Sequence, residues 1–370
     1  KKARQAAMAA SGEVVGGDDG ANISVVSEGS SVPDITNTKS AKKHRNFLRD
    51  QLKGVENEII LSEQYIKVDK EQFKTLKVKN VLNKILSNPN VCSKEWIWQQ
   101  YDHTVMGDTI QKPGGDAGVV RVHGTNKAVA ASVDSSAVYC WAHPLSGGKQ
   151  IVCESWRNLI SVGAKPIAIT NCLNFGSPEN EENMGEFVEC VQGLGEASAY
   201  LEFPVVSGNV SFYNQTKDIG IKPTPAIGGV GLIKDYQNMV TMDLKEADNI
   251  LLVIGKTEGH LDQSLFARDI LNEKNGPPPE INLFNEKNNG ETILKLIDKK
   301  FIKSAHDVSL GGIITALSKM CIKGKKGATL KKSNYLINQF KKLFYLFDFL
   351  FFSTKYTILS IIRWHLIIYS

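Results

Sequence analysis

The sequence predicts an α/β protein, because stretches with strand character alternate with stretches of helical periodicity along most of the chain. Apolar, β-branched runs bounded by glycine, proline or asparagine are typical of strands. The stretches between them repeat apolar residues at helical spacing. The chain has 370 residues, of which 42% are hydrophobic and 22% are charged. That composition is typical of a globular protein, and the length allows two domains.

Six segments have the composition of strands. Most are short, apolar and rich in valine, isoleucine or alanine, and turn-forming residues bound them. The predicted strands are 118–122, 128–133, 166–170, 204–206, 226–233 and 250–254.

Helical periodicity predicts five helices among these strands. Apolar residues three and four positions apart give each helix one apolar face, and Gly163 is a natural C-terminal stop for the first. The predicted helices are 149–162, 181–198, 262–272, 290–297 and 312–322.

Two further helices are predicted before the first strand. Apolar residues recur at helical spacing within 75–100, and Asn88-Pro89 ends the first run. Ser93 is placed to cap a second, short helix that carries Trp96 and Trp98.

Composition divides the chain into five regions. Residues 1–54 are poor in large apolar side chains, so we expect a disordered or unrelated leader there. Residues 55–100 are a predicted helical linker, and 101–243 and 244–329 are two predicted α/β domains. Residues 330–370 form a hydrophobic tail.

The tail has no persistent period of 2 or 3.6 residues. Asp348, Lys355 and Arg363 interrupt its apolar sequence, whereas a membrane span needs about 20 apolar residues. A membrane span and a buried core helix are alternative interpretations. We favour out-of-frame translation of an A/T-rich gene, which yields Phe, Leu, Ile, Lys, Asn and Tyr in bulk.

Charge and cysteine usage favour a cytoplasmic protein that does not bind nucleic acid. The net charge is +5 and the lysines are scattered, so no basic patch is predicted. The six cysteines form no C-x-x-C pair, which fits single thiols in a reducing compartment. The chain begins with Lys1 and shows no signal peptide, and we expect it to be a fragment or an incomplete gene product.

The segment around Gly208 is the strongest candidate site. An apolar strand ends in Ser207-Gly208-Asn209, and a glycine at that point lets the backbone approach a ligand closely. Asn209 and Ser211 are two residues apart and therefore lie on one face of an extended segment. Their oxygens suit a hard cation and a phosphorylated substrate.

Three other motifs mark loops or strand ends. The first is 112–122, where a Gly-Gly-Asp loop leads into a strand. The second is 164–176, where Asn171 and Asn174 follow a strand and are candidate ligand contacts, or else satisfy loop backbone groups. The third is 304–313. The sequence contains no P-loop, no Rossmann fingerprint and no G-x-S-x-G, so any nucleotide site is of another design.

The segment 304–313 is interpreted as a loop before a helix. Asp307 or Ser309 is placed to cap that helix, and the two following glycines allow an anion to approach its N-terminus. His306 could act as a general base, but a structural role is the favoured interpretation.

Together these motifs resemble phosphoribosylformylglycinamidine synthase of purine biosynthesis, in its alphaproteobacterial form. The resemblance covers residues 89–327 almost continuously. The motifs that carry it include Pro113-Gly114-Gly115-Asp116-Ala117, Leu173-Asn174-Phe175-Gly176, Gly208-Asn209-Val210-Ser211, Pro223-Thr224-Pro225 and Ala305-His306-Asp307-Val308-Ser309.

The resemblance implies a fold and a reaction. That family combines a ferredoxin-like N-terminal unit with an α/β C-terminal unit of the aminoimidazole-ribonucleotide-synthetase type, in two tandem copies. Residues 101–243 and 244–329 match the second copy, with the latter unit truncated. The family is an ATP-dependent ligase that converts formylglycinamide ribonucleotide, with ammonia from glutamine, into formylglycinamidine ribonucleotide. The implied partners are the first half of the synthase, its glutaminase and its small accessory subunits.

The resemblance also implies roles for four residues. Asn171 and Gly208 would contact ATP, Asn209 would bind Mg²⁺, and Ser211 would contact the substrate. No catalytic residue is expected, because the catalytic histidines of the family lie in the first copy. Asn171 stands where the family usually has an aspartate, so an ionised hydrogen-bond acceptor is missing. Val138 stands where an arginine is usual.

The leading hypothesis is therefore the second half of this ligase, inactive by itself. One alternative is a non-catalytic product of a truncated or decaying gene, which the tail and Asn171 motivate. The other is a membrane-tethered binding module, although a membrane association is not favoured by the interrupted tail.

Overall fold

The computed structural model describes residues 78–247, 249–255 and 260–328, together with the backbone of one further strand, 365–369. The predicted leader and most of the tail lie outside the described residues, and so does the first part of the predicted linker.

Eleven strands are described. They are β1 Thr109–Gln111, β2 Gly118–Arg121, β3 Ala128–Ser135, β4 Lys165–Asn174, β5 Val205–Ser211, β6 Gln215–Thr216, β7 Ile219–Gly220, β8 Thr224–Ile233, β9 Ile250–Ile254, β10 Ile302–Asp307 and β11 His365–Tyr369.

Seven α-helices are described. They are α1 Val78–Leu86, α2 Glu95–Trp98, α3 Ala137–Ala142, α4 Pro144–Ser161, α5 Glu181–Tyr200, α6 Leu283–Asp298 and α7 Gly312–Gly324. Short 3₁₀ turns lie at Val105–Gly107 and Tyr236–Asn238, and a π-helix at Phe266–Ile270.

A six-stranded mixed sheet forms the first unit, with the order β1-β2-β3-β8-β4-β5. Neighbouring strands are antiparallel except β4 and β5, which are parallel. All five predicted strands of this sheet are present. However, β4 continues to Asn174 and β5 to Ser211, so the polar motifs predicted to follow these strands are part of them. The backbone of β4 is paired on both sides, which holds its polar end extended.

The second unit contains a three-stranded antiparallel sheet in the order β10-β11-β9. The strand β9 has the predicted bounds. The interpretation of 304–313 as a loop was wrong in its first half, because Ser304 to Asp307 belong to β10 and His306 is buried in that strand. The central strand β11 comes from the tail, for which the sequence predicted no strand.

Helices α4 and α5 pack against each other and cover one face of the large sheet. Side chains cap both at their N-termini: His143 accepts from the backbone of Ser146, and Asn180 accepts from Glu182 and Asn183. Gly163 follows α4 with a φ of 85°, as expected of a glycine at a helix C-terminus. The core of the first unit lies between these helices and the sheet.

Several predicted helix starts were wrong. The segment 262–272 contains only the five-residue π-helix, and α6 begins at Leu283, where Asn282 caps it through the backbone of Asn285. The cap of α7 is Gly311, with a φ of 85°, and neither Asp307 nor Ser309 caps it. Asp307 is inside β10, so its side chain is not at the helix terminus.

The other face of the large sheet is uncovered within the described residues. Valine and isoleucine side chains on it are exposed to solvent, up to 80% for Val133 and 68% for Val206. Further exposed apolar side chains on these strands are Ile110, Val120, Val129, Ile167 and Val230. We call this the open sheet face. None of the helices in the described part of the chain is long and apolar enough to cross a membrane.

The packing of α5 on α4 depends on Gly193. A Cβ at this position would lie 2.1 Å from the carbonyl oxygen of Leu145, in α4. We predict that Gly193→Ala lowers the free energy of unfolding by about 1–3 kcal/mol, because the helices must move apart. The midpoint of urea denaturation measures this.

Gly195→Ala is the matched control, since a Cβ at Gly195 meets nothing within 4 Å on the same helix. Alanine there is expected to stabilise the chain by up to about 1 kcal/mol through helix propensity. Equal midpoints for the two variants would contradict the packing argument.

Candidate functional site

Asn171 and Gly208 are direct neighbours on the parallel strands β4 and β5. A Cβ at Gly208 would lie 2.0 Å from Oδ1 of Asn171. Asn171 is buried, whereas Gly208 is exposed at the sheet edge. The sequence interpretation was that the glycine admits a ligand. In the structure, the side-chain amide of Asn171 occupies the space beside Gly208 that a Cβ would fill.

Asn209 and Ser211 lie together on the opposite face of β5, as the alternation predicted. Their partners across the strand pair are Cys172 and Asn174. Asn209 is exposed and Ser211 is half-buried. The structure therefore divides the four predicted site residues into two pairs. Asn171 and Gly208 face the helix layer, and Asn209 and Ser211 face the open sheet face.

Asn174 uses its amide to satisfy backbone groups. Its Nδ2 donates to the carbonyl oxygens of Thr224 and Cys172, at 3.2 Å and 3.3 Å. The sequence analysis gave Asn174 two possible roles, a ligand contact or a partner for loop backbone groups. The structure shows the second. The amide joins the end of β4 to the beginning of β8.

A second group of polar side chains lies on the helix side, around His306. Nδ1 of His306 is 2.5 Å from Oδ1 of Asp116, and 3.7 Å from Oδ1 of Asp307. One ligand atom from each of these three residues lies within 4.8 Å of the others. The second carboxyl oxygens, Oδ2 of Asp116 and Oδ2 of Asp307, are buried and have no hydrogen-bond partner among the described residues. We call these three residues the acid–histidine cluster.

Burial and like charge raise the pKa of two carboxyl groups in this region, Asp307 and Glu154. Burial raises the pKa of Asp307, and the charge of Asp116 adds to that effect. Burial, and then the charge of Asp307, raise the pKa of Glu154 to about 7. For His306, burial lowers the pKa, but the charge and hydrogen bond of Asp116 outweigh it and the pKa is raised. The surroundings thus favour the neutral, protonated carboxyl form of Asp307 and Glu154 and the charged, protonated form of His306.

Helix α4 supplies the surroundings of the cluster. Asn158 donates from Nδ2 to Oδ1 of Asp134 at 2.8 Å, and Arg157 forms a buried ion pair with Glu286 of α6 at 2.9 Å. Glu154, Arg157 and Glu286 line a cavity of about 580 Å³, which reaches the start of α7.

One row of residues across the sheet connects the two regions. Asp134 of β3 pairs with Ile227 of β8, which pairs with Asn171 of β4, which pairs with Gly208 of β5. Residues that pair across strands point to the same face. Asp134 and Asn171 therefore lie on the helix side, two strands apart.

Sequence analysis missed Glu154, Arg157 and Asp134 as site residues. The Gly-Gly-Asp motif was interpreted only as a loop before a strand, Asp307 as a possible helix cap, and His306 as a structural residue, so the sequence did not predict the acid–histidine cluster. Glu154 and Arg157 lie on a predicted helix, where charged residues are ordinarily a solvated face. In the structure, α6 and β10 pack on α4, where Arg157 is buried and Glu154 is half-buried.

Two family models match the chain, one for each unit. The model described as AIR synthase related protein, N-terminal domain, matches residues 114–233, and its C-terminal domain matches residues 246–359. The second match runs past Gly327, where the motifs identified in the sequence end. The boundaries that we gave to the five regions remain predictions.

The two matched domains and the mixed sheet under a helical layer define the class of protein: this chain belongs to the AIR synthase related family. The predicted fold class is confirmed.

Similar proteins of known name narrow the assignment. The subunit PurL of phosphoribosylformylglycinamidine synthase from Pelagibacter ubique is 99% identical over 279 residues, which are 75% of this chain and 38% of that protein. PurL of Azorhizobium caulinodans is 49% identical over 253 residues, or 68% of this chain and 34% of that protein. Within the family, the chain thus groups with PurL, and the resemblance seen in the motifs is confirmed. It spans little more than a third of the length of these relatives.

Solved structures of a similar protein are known with nucleotides bound. Thermotoga maritima PurL complexed with ATP has 26% sequence identity and a TM-score of 0.45, covering 63% of this chain and 34% of that one. The same protein complexed with ADP has 23% identity and a TM-score of 0.48, covering 75% of this chain and 38% of that one.

The contact between Gly208 and Asn171 generates a prediction. Gly208→Ala is expected to lower the free energy of unfolding by about 1–3 kcal/mol, because the new methyl group overlaps the Asn171 amide. Asn171→Ala in the same chain should recover part of that loss. Urea denaturation of the two single variants and the double variant measures the coupling.

Gly118→Ala on strand β2 serves as the control, since a Cβ there would lie 4.0 Å from its nearest neighbours, the carbonyl oxygens of Ala131 and Gln111. Strictly additive losses for Asn171→Ala and Gly208→Ala would show that the two positions do not constrain each other.

Proposed function

We propose that the chain is the second half of a phosphoribosylformylglycinamidine synthase. Acting beside a first half in the cytoplasm, it contributes to the ATP-dependent conversion of formylglycinamide ribonucleotide to formylglycinamidine ribonucleotide. The observation that carries the proposal is the position of Asn209 and Ser211, at the edge of an apolar sheet face that the described chain leaves open. A site at such an edge is complete only when a partner covers the face.

The proposed roles follow the division into two pairs. Asn171 and Gly208 contact ATP, Asn209 provides an amide oxygen to Mg²⁺, and Ser211 contacts the substrate. Because the pairs face opposite sides of β5, ATP and substrate reach them around the edge of the sheet. Within the described residues no further strand pairs with that edge, since β5 is the last strand of the sheet.

The acid–histidine cluster is proposed as a second site for a divalent cation. Mg²⁺ and Mn²⁺ prefer carboxylate oxygens, and Oδ2 of Asp116 and Oδ2 of Asp307 are buried without a partner in the part of the chain that the structure describes. Buried carboxylates that are not compensated are unfavourable. The residues present therefore fit a divalent cation, which would neutralise their charge.

The residues of this chain act by binding and orientation. A magnesium ion at Asn209 would supply positive charge beside the phosphates of ATP. Ser211 orients the substrate from the same face of β5. A partner on the open sheet face would exclude water from both residues, which strengthens their electrostatic interactions. The proposed partners are the first half of the synthase and, through the assembled enzyme, its glutaminase and small accessory subunits.

The open sheet face gives a test of this proposal. We predict that the chain alone forms no formylglycinamidine ribonucleotide, and that product appears when a first-half polypeptide of PurL is added with ATP, Mg²⁺ and ammonia. Val133→Asp should lower both complex formation and product by at least tenfold, because a carboxylate on the covered face loses its hydration. Analytical ultracentrifugation and a product assay measure the two effects.

Val188→Asp is the matched control, because Val188 is exposed on α5, on the opposite side of the sheet. Product formed by the chain alone would refute the dependence on a first half. Equal loss for both valine variants would refute the role of the open sheet face.

The proposed cation site predicts stabilisation by Mg²⁺ or Mn²⁺. At a concentration about 100 times the dissociation constant, binding should add about 2.7 kcal/mol to the free energy of unfolding. Asp307→Asn should abolish this increment, because the variant lacks one of the partnerless carboxylates. Thermal denaturation with the metal salt and with a chelator measures the increment.

Asp235→Asn is the control, since Asp235 only caps a 3₁₀ turn at the surface. An increment that survives in Asp307→Asn would place the cation elsewhere, and no increment in the wild-type chain would remove the site altogether.

A further inference from the structure

Asn214 joins the ends of two strands beside Ser211. Its Nδ2 donates to the carbonyl oxygen of Phe175 at 3.0 Å and to that of Ser211 at 2.9 Å. Phe175 follows β4, and Ser211 ends β5. The backbone N–H of Phe175 also donates to the carbonyl oxygen of Ser211, at 3.0 Å. The Asn214 amide therefore fixes the backbone on which the Ser211 hydroxyl is carried.

The same amide fixes the direction of the Ser211 hydroxyl. Oγ of Ser211 lies 3.2 Å from both Oδ1 and Nδ2 of Asn214. A side-chain amide has two N–H groups, and the two carbonyl oxygens accept both at shorter distances. Nδ2 therefore has no N–H left to donate to Oγ of Ser211. The hydrogen bond between the two side chains runs from the Ser211 hydroxyl to Oδ1 of Asn214.

We propose that Asn214 is a positioning residue that presents the Ser211 hydroxyl to the ligand as a hydrogen-bond acceptor. The proton of Ser211 is directed at Asn214, so only the lone pairs of Oγ face the open sheet face. An acceptor binds a ligand N–H or O–H and does not bind a phosphate oxygen. Ser211 therefore recognises an amide N–H or a sugar hydroxyl of the substrate, and the phosphate binds elsewhere. The inference rests on the proposed function of Ser211.

A double-mutant cycle tests the coupling of the two residues. The chain, assembled with the first-half polypeptide, is titrated with formylglycinamide ribonucleotide in a calorimeter. Asn214→Leu and Ser211→Ala should each weaken binding roughly 3- to 10-fold, the effect of one lost hydrogen bond. The double variant should bind no more weakly than the weaker single variant, because Asn214 acts through the hydroxyl.

Gln215→Leu is the control for damage to the loop. Its Oε1 accepts from the backbone of Ser177, so the variant breaks a contact of the same hairpin without touching Ser211. It should bind like the wild type. Multiplied losses in the double variant, or wild-type affinity of Asn214→Leu, would overturn the proposal.

A measurement on the free chain separates this inference from the proposed function. With selective ¹⁵N labelling of asparagine, both side-chain amide protons of Asn214 should exchange slowly with solvent, and Ser211→Ala should leave them slow. Rapid exchange of either proton would show that Nδ2 has a proton free for Oγ, and the inference fails. If the assembled wild type binds no substrate while exchange stays slow, the role of Ser211 in substrate binding fails and the ligand preference fails with it.

Discussion

The rest of the structure depends on the burial of helix α4, because this helix has a neighbour on nearly every side. It packs on strands of the large sheet, on α5, and on α6 and β10 of the second unit. Thirteen of its eighteen residues are buried, including Arg157 and Asn158. A polar residue in such a position needs a partner. Arg157 has Glu286, and Asn158 has Asp134. The joint between the two units and the walls of the cavity thus come from one helix.

The sequence predicted the apolar parts of the fold well. The strand β9 was predicted with its observed bounds, since it is a continuous apolar run. The strand β10 was missed because Ser304, His306 and Asp307 are not typical of strands. Their extended conformation comes from pairing and from burial under α4, which are tertiary effects that local propensity does not contain. The predicted helix 262–272 was too long for the same reason. Its apolar residues pack against α1, and their spacing therefore did not report the length of the helix.

The roles predicted for Asn171, Gly208, Asn209 and Ser211 remain predictions, and the sequence did not predict how these residues are arranged. Alternation along β5 predicted that Asn209 and Ser211 share a face. It could not predict that Asn171 lies on the other side, because this depends on the register between β4 and β5. Asn214 carried no signal, since an asparagine in a turn is common. Glu154 and Arg157 were missed because they line the cavity through the packing of α6 and β10 on α4, which the sequence does not show.

The two faces of the large sheet impose different chemistry on the same strands. On the helix side, polar groups are buried with fixed partners, and among the described residues one oxygen each of Asp116 and Asp307 is buried without one. On the open sheet face, apolar side chains are hydrated and Asn209 is free in solvent. At a solvent-exposed site, a hydrogen bond to a ligand replaces a hydrogen bond to water of nearly equal strength. In an interface that excludes water, this competition is absent and the bond to the ligand contributes more. Asn209 and Ser211 therefore become strong ligand contacts only after the apolar residues around them have been covered, and the open sheet face explains why both would need a partner.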